Sequence, residues 1–239
     1  MTLPPSSSPS SAADPVSSTS EPIGQAQIQA QPQVEGQETF LGNLHTQRTS
    51  IASPSVASTR DIVLVALFAA LIAVLGLVPK VDLPFLAGVP ITVQTLGVML
   101  AGLFLGPRRG ALAVLLLVFM VLLGAPFLSG GRGGLGVLFG PTAGFLLGWI
   151  PGAFLVGFVF ALFQRLAPSK VLINAFVACL VGGVVVIYAV GIPVLAWRAA
   201  MPMDQAVAVS LAFIPGDLLK AALAAGLVAR FGQQGRVFH

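Results

Sequence analysis

Apolar residues in this chain fall into long runs separated by short polar punctuation, and the runs begin abruptly near residue 60. Residues 61–79 form a stretch bounded by Arg60 and Lys80, close to the ~20 residues with which an α-helix crosses ~30 Å of hydrocarbon. Residues 81–90 carry Pro84, Gly88 and Pro90 and read as a loop. Two shorter runs, 91–105 and 111–123, are divided by Gly106-Pro107-Arg108-Arg109-Gly110. After Gly124-Ala125-Pro126 comes Ser129-Gly130-Gly131-Arg132-Gly133-Gly134, a segment too rich in glycine for a helix. Runs at 141–163, 171–197 and 205–229 complete six expected spans. The two short runs predict a re-entrant loop beside them or a locally thinned bilayer.

Residues 1–59 have the opposite pattern. They are rich in Ser, Pro, Gln and Thr, with Asp14, Glu21, Glu35 and Glu38 against Arg48. Such a segment buries too little apolar surface to offset chain entropy, so it reads as a disordered tail before a membrane domain at 60–239. It lacks the basic start and apolar core of a signal peptide, and it is too acidic for a typical transit peptide.

Composition sharpens this picture. Of the 239 residues 56% are hydrophobic and only 8% charged, where a soluble domain carries about 25% charge. Most of the exterior therefore faces lipid, and the fold class expected is an all-α integral membrane bundle of six transmembrane helices. The net charge of +4 does not signal nucleic acid, because the cations sit singly or in pairs between apolar runs. With six spans, Arg48, Arg60, Arg108, Arg109, Arg165, Lys170, Arg230 and Arg236 share one side, and Lys80, Arg132 and Arg198 the other. That bias predicts both termini in the cytoplasm.

Few polar groups then remain for chemistry. Asp217 and Lys220, in Ile214-Pro215-Gly216-Asp217-Leu218-Leu219-Lys220, are spaced to share one helical face. A mid-membrane charge costs about 2.5–3.5 kcal/mol on insertion scales, so the pair is either a ligand site or an ion pair locking helices. Arg132 stands between two glycine pairs and presents a guanidinium suited to a carboxylate, or else to solvent. Thr92, Gln94 and Thr95 open the second span with neutral hydrogen-bonding groups, of which Thr92 also fits helix capping. Tyr188 and Trp197 fit packing or the membrane interface as readily as a pocket wall.

Several chemistries are struck out. No lysine follows a glycine as a phosphate-binding loop requires. His45 and His239 lie in the tail and at the terminus, and Cys179 is the one cysteine, so neither a metal site nor a His-based triad is expected. A binding site with no cofactor is what remains.

Five motifs in order carry a resemblance: Val89-Pro90-Ile91-Thr92-Val93-Gln94-Thr95, Leu105-Gly106-Pro107-Arg108-Arg109-Gly110, Ser129 to Gly134, Phe139-Gly140-Pro141-Thr142, and Ile214 to Lys220. Together they make residues 60–231 similar to the BioY family, the biotin-specific substrate-binding (S) components of energy-coupling factor transporters. The resemblance implies a six-helix S-component bundle in a bacterial plasma membrane. It also implies an outward biotin pocket walled by the loop after the first span, the Gly-rich loop and the last span. Partners implied are a transmembrane coupling subunit and two ATPase subunits. Asp217 would accept the ureido N–H groups, and Lys220 and Arg132 would meet anionic or carbonyl oxygens. Phe145 stands where many relatives have tyrosine, so a hydroxyl is absent there, and Pro193 predicts a kink in the fifth span. Ala66 and Ala70, with Ala69 and Ala73, offer a flat surface for close helix packing.

Two other functions compete with this reading. One is a self-sufficient secondary carrier for biotin or another small anion, with Asp217 as proton site. The other is a membrane-embedded enzyme, which the lack of histidines and paired carboxylates disfavours. Because residues 1–55 lie outside the apolar domain, their deletion is expected to leave folding and ligand binding intact. Loss of biotin binding in a well-expressed truncation would refute this account of the tail.

Overall fold

The computed structural model describes residues 58–78 and 92–231. The tail, the loop 81–90 and the C-terminal end lie outside the described residues, as do His45, Arg48, Lys80, Arg236 and His239. Helices α1 (Thr59–Gly76) and α2 (Gln94–Leu122) are followed by a short 3-10 turn, Leu135–Leu138, and by α3 (Ala143–Leu166). Next, α4 (Val171–Ala178), a π-helical stretch (Cys179–Val186) and α5 (Ile187–Arg198) form one continuous rod. Helices α6 (Met203–Leu211) and α7 (Ile214–Phe231) close the described chain. Extended pairing among the described residues is limited to one antiparallel bridge between Leu128 and Arg132.

Four helical segments among the described residues are long and apolar enough to cross a membrane, and the α6–α7 pair makes a fifth if counted as one span. The expected count of six is not reproduced by helix length. The difference lies in α2, which contains both short runs. Gly106 interrupts it with φ 78° and ψ −176°, a backbone that a residue without Cβ adopts at least cost. A Cβ on Gly110 would stand 2.8 Å from the Ala101 carbonyl oxygen, whereas residues so far apart in one straight helix are separated by about 13 Å. The chain therefore doubles back at Gly106, and Pro107, whose fixed φ suits a helix start, opens the second arm. Each arm is shorter than the ~20 residues of an upright span.

The first arm is the centre of the bundle. Every residue from Gly97 to Leu103 is buried, as expected for a helix apolar all round. By contrast α1 buries only Ala69, Ile72 and Gly76 and lies at the periphery. Glycines bring the inner helices close. Gly102 meets the Ala153 carbonyl, Gly157 meets the backbone at Gly106 and Pro107, and Gly182 meets Gly152 and Val156. Small residues at such crossings let backbones approach where lipid offers no competing hydrophobic drive.

The last expected span, 205–229, is broken. A bend of 48° separates α6 from α7, because Pro215 has no N–H to continue the ladder and is tolerated only in the first turn of a new helix. At Pro193, where a kink is expected, α5 runs helical on both sides. A Cβ at Gly182 would come 2.4 Å from the Val156 nitrogen and 2.6 Å from the Gly152 oxygen. Gly182→Val is thus expected to cost about 1–3 kcal/mol through overpacking, read as a lower unfolding midpoint in detergent. An unchanged midpoint would contradict this crossing.

Candidate functional site

A cavity of about 700 Å³, its open mouth included, lies among the first arm of α2, the Gly-rich loop, α3, the π stretch, α5 and α7. Thr92, Gln94, Arg132, Phe145, Tyr188, Asp217 and Lys220 all line it. These seven, and Thr95 with them, are candidates singled out from the sequence, and the fold brings them together in one place. Trp197 is not among them; it is 71% exposed, with the Arg198 guanidinium 4.4 Å from its ring centre.

The polar centre is a chain of side chains tying three helices. Asp217 is buried in the first turn of α7, where the helix N-terminus favours a carboxylate. Its Oδ2 accepts a 2.5 Å hydrogen bond from the Tyr188 hydroxyl of α5. Its Oδ1 accepts one of 2.7 Å from Lys220 Nζ one turn along α7, and the same ammonium donates to Thr95 Oγ1 of α2 at 2.9 Å. A buried ion is stable only when its charge is matched and its oxygens are hydrogen-bonded, and here Lys220 matches the charge and each oxygen has a donor. Lock and ligand site need not exclude each other: the pair joins helices and also faces the cavity.

The opposite wall is built by the Gly-rich loop. Gly130, Gly131 and Gly134 all have positive φ, which folds the backbone back so that Leu128 and Arg132 pair. Arg132 Nε donates to the Ser129 carbonyl at 3.2 Å and Nη1 to Thr142 Oγ1 at 3.3 Å. The guanidinium is thus oriented by its own loop and by the residue preceding α3.

Gln94 holds that loop in place. Its amide nitrogen donates to the Phe127 carbonyl at 2.8 Å and the Ile72 carbonyl at 3.3 Å. Its oxygen accepts from the Ser129 backbone N–H at 3.0 Å and hydroxyl at 3.1 Å. An amide side chain has two donors and one oxygen with two lone pairs, so its capacity is spent on protein. Gln94 is a keystone of the wall rather than an open ligand group. Thr92 is likewise re-read: the cap of α2 is Val93, with no side-chain capping bond, so capping does not account for Thr92.

Apolar side chains supply the rest. Phe145 meets Tyr188 edge-on, with ring centres 5.9 Å apart at 86°. Trp149, Leu146, Ile187 and Phe213 also line the cavity, and sequence reasoning missed them because each sits in an unbroken apolar run. A helical period places Phe145 and Trp149 on one face of α3, the one signal that was available.

Gln94→Leu is expected to strand the Phe127 carbonyl and the Ser129 N–H. Each unsatisfied buried group costs about 1–3 kcal/mol. The loop should become the first site cut in limited proteolysis. A variant as resistant and as thermostable as the parent would show that Gln94 does not hold the loop.

Comparison with known proteins places the chain in a family. The sequence pattern of the BioY family matches residues 46–236. The biotin transporter BioY of Rhizobium etli is 52% identical over 170 residues, covering 70% of this chain and 90% of that protein. Its namesake in Rhodobacter capsulatus is 46% identical over 187 residues, covering 72% and 92%. Among solved structures, the S-component for biotin from an ECF-type ABC transporter superposes with a TM-score of 0.69 at 32% identity. That match covers 77% of this chain and 96% of the other. With its folded region matched from end to end, the chain belongs to the BioY family.

Proposed function

We propose that this protein is a membrane subunit that captures biotin and mediates its uptake, energised by associated ATPase subunits. The observation that carries the reading is the buried Asp217, bonded to Tyr188 and Lys220 at the edge of a mainly apolar cavity. Biotin presents a ureido ring with two N–H donors and one carbonyl, an apolar thioether ring and tail, and a carboxylate. Each part has a counterpart here. A carboxylate oxygen accepts more than one hydrogen bond, so Asp217 takes a ureido N–H while keeping its protein donors. Lys220 directs two bonds to protein and has a third N–H for an oxygen of the ligand. Trp149, Phe145 and Phe213 cover the apolar part, and Arg132 stands on the loop wall as the partner for a carboxylate.

The energy-coupling partners are a transmembrane subunit and two ATPases. On α1, Ala66 and Ala70 are exposed while Ala69 packs inward, which leaves one small-residue face open to a partner helix. Both termini lie in the cytoplasm on this reading, with the cavity opening to the outside.

If Asp217 binds the ureido group, Asp217→Asn keeps the shape and removes the ionised acceptor. Hydrogen bonds to charged groups are worth about 1.5–3 kcal/mol, so affinity should fall roughly ten- to a hundredfold by isothermal titration. The double variant Asp217→Leu with Lys220→Met removes both buried charges together, so a folded protein is expected. It should not bind biotin. Near-normal affinity in that variant would remove both residues from the site.

A further inference from the structure

Phe145 lines the cavity and is only half buried, and the ring lies back against a glycine. That residue, Gly191, is buried on α5, three residues after Tyr188 and on the same helix face. A Cβ at Gly191 would stand 2.4, 2.5 and 2.7 Å from Cδ1, Cε1 and Cγ of Phe145. Carbon atoms rest about 3.5–4.0 Å apart, so a side chain there forces a movement. The helix backbones are poorly placed to make it. A Cβ on Gly144 would lie 2.5 Å from Val194 Cβ and 2.9 Å from the Val190 carbonyl oxygen, and one on Gly148 3.2 Å from Ile187 Cα. Helices α3 and α5 thus touch closely along this seam, and drawing α5 back would open all of it. Tyr188 blocks a second direction, since its ring already meets that of Phe145 edge-on at 5.9 Å. The direction left to the ring is the cavity.

We propose that Gly191 is a positioning residue for ligand specificity: by carrying no side chain it lets the Phe145 ring lie back against α5, and so sets the cavity's width for a fused two-ring ligand. The inference rests on the biotin reading and adds to it a residue that acts through its neighbour. Phe145 is the movable wall, and Gly191 is the space into which that wall is withdrawn. One methyl at position 191 pushes the ring towards the ligand, and a single methylene in an apolar pocket changes binding by about 10–200-fold. The thioether ring is what makes biotin wide, so it meets the displaced wall first. Desthiobiotin keeps the ureido ring and the acid tail but has no thioether ring, and it fits a narrower space.

The test compares biotin with desthiobiotin by isothermal titration on the full-length protein and on Gly191→Ala. The variant is expected to lose about tenfold in affinity for biotin and less than about threefold for desthiobiotin. Its unfolding midpoint in detergent should stay near the parent's, because alanine is the better helix former and offsets the crowding. In a Phe145→Ala background, which removes the ring, adding Gly191→Ala should change biotin affinity less than about twofold. A general defect at the seam would instead weaken both ligands alike and persist without the ring. Unchanged biotin affinity in Gly191→Ala, equal losses for the two ligands, or an undiminished loss in the Phe145→Ala background would overturn the inference. A Gly191→Ala protein that no longer folds would overturn it too, because the backbone and not the ring would then have taken the strain. A parent that binds neither ligand would refute the biotin reading itself, and the inference with it.

Discussion

A carboxylate buried beside an apolar cavity is tolerated only while cations and hydroxyls surround it, and Asp217 imposes that condition on three helices at once. Its bonds to Tyr188 and Lys220, and the Lys220 bond to Thr95, fix α7 against α5 and against the central arm of α2. Losing one partner of such a buried set is far costlier than never having built it, because the remaining charge is left in low dielectric. The bend between α6 and α7 serves the same condition. It puts Asp217 in the first turn of a new helix, where the helix dipole favours a carboxylate.

The cavity's two polar walls rest on different physics. On the α7 side, ionic bonds dominate and their strength grows as water is excluded. On the loop side the bonds that tie the backbone to the first arm of α2 are neutral, and Gln94 makes them from within. The first wall resists loss of geometry through charge pairing. The second is held by one saturated amide together with the bonds of the loop itself and of Thr142 to Arg132.

How much of this was legible in the sequence depends on the kind of signal. Asp217, Lys220 and Arg132 announced themselves because charges among apolar runs are expensive and need a reason. The reversal at Gly106-Pro107 was visible as a break between two short runs, though helix length alone does not register it. The role of Gln94 was not legible, since its partners are backbone groups far away in sequence. Trp149 and Phe213 were hidden for another reason: in a chain with so many apolar residues, an aromatic facing a cavity looks like one facing lipid. Pro215-Gly216 marks the bend between α6 and α7 in the sequence only weakly, since the two residues loosen a helix without requiring it to break.

The π-helical stretch Cys179–Val186 was not foreseen at all, and it sets what α5 shows to the cavity. A π turn holds more residues than an α turn, so each one rotates everything downstream about the helix axis. Gly183 lines the cavity within this stretch, and Ile187 and Tyr188 line it just after. The azimuth of Tyr188, and with it the hydroxyl that reaches Asp217, is therefore set by winding upstream rather than by the residues of α5 themselves. In the language of gears, the stretch is a phase adjuster: a change of one residue in its length would re-clock the aromatic wall while leaving every α5 side chain unaltered.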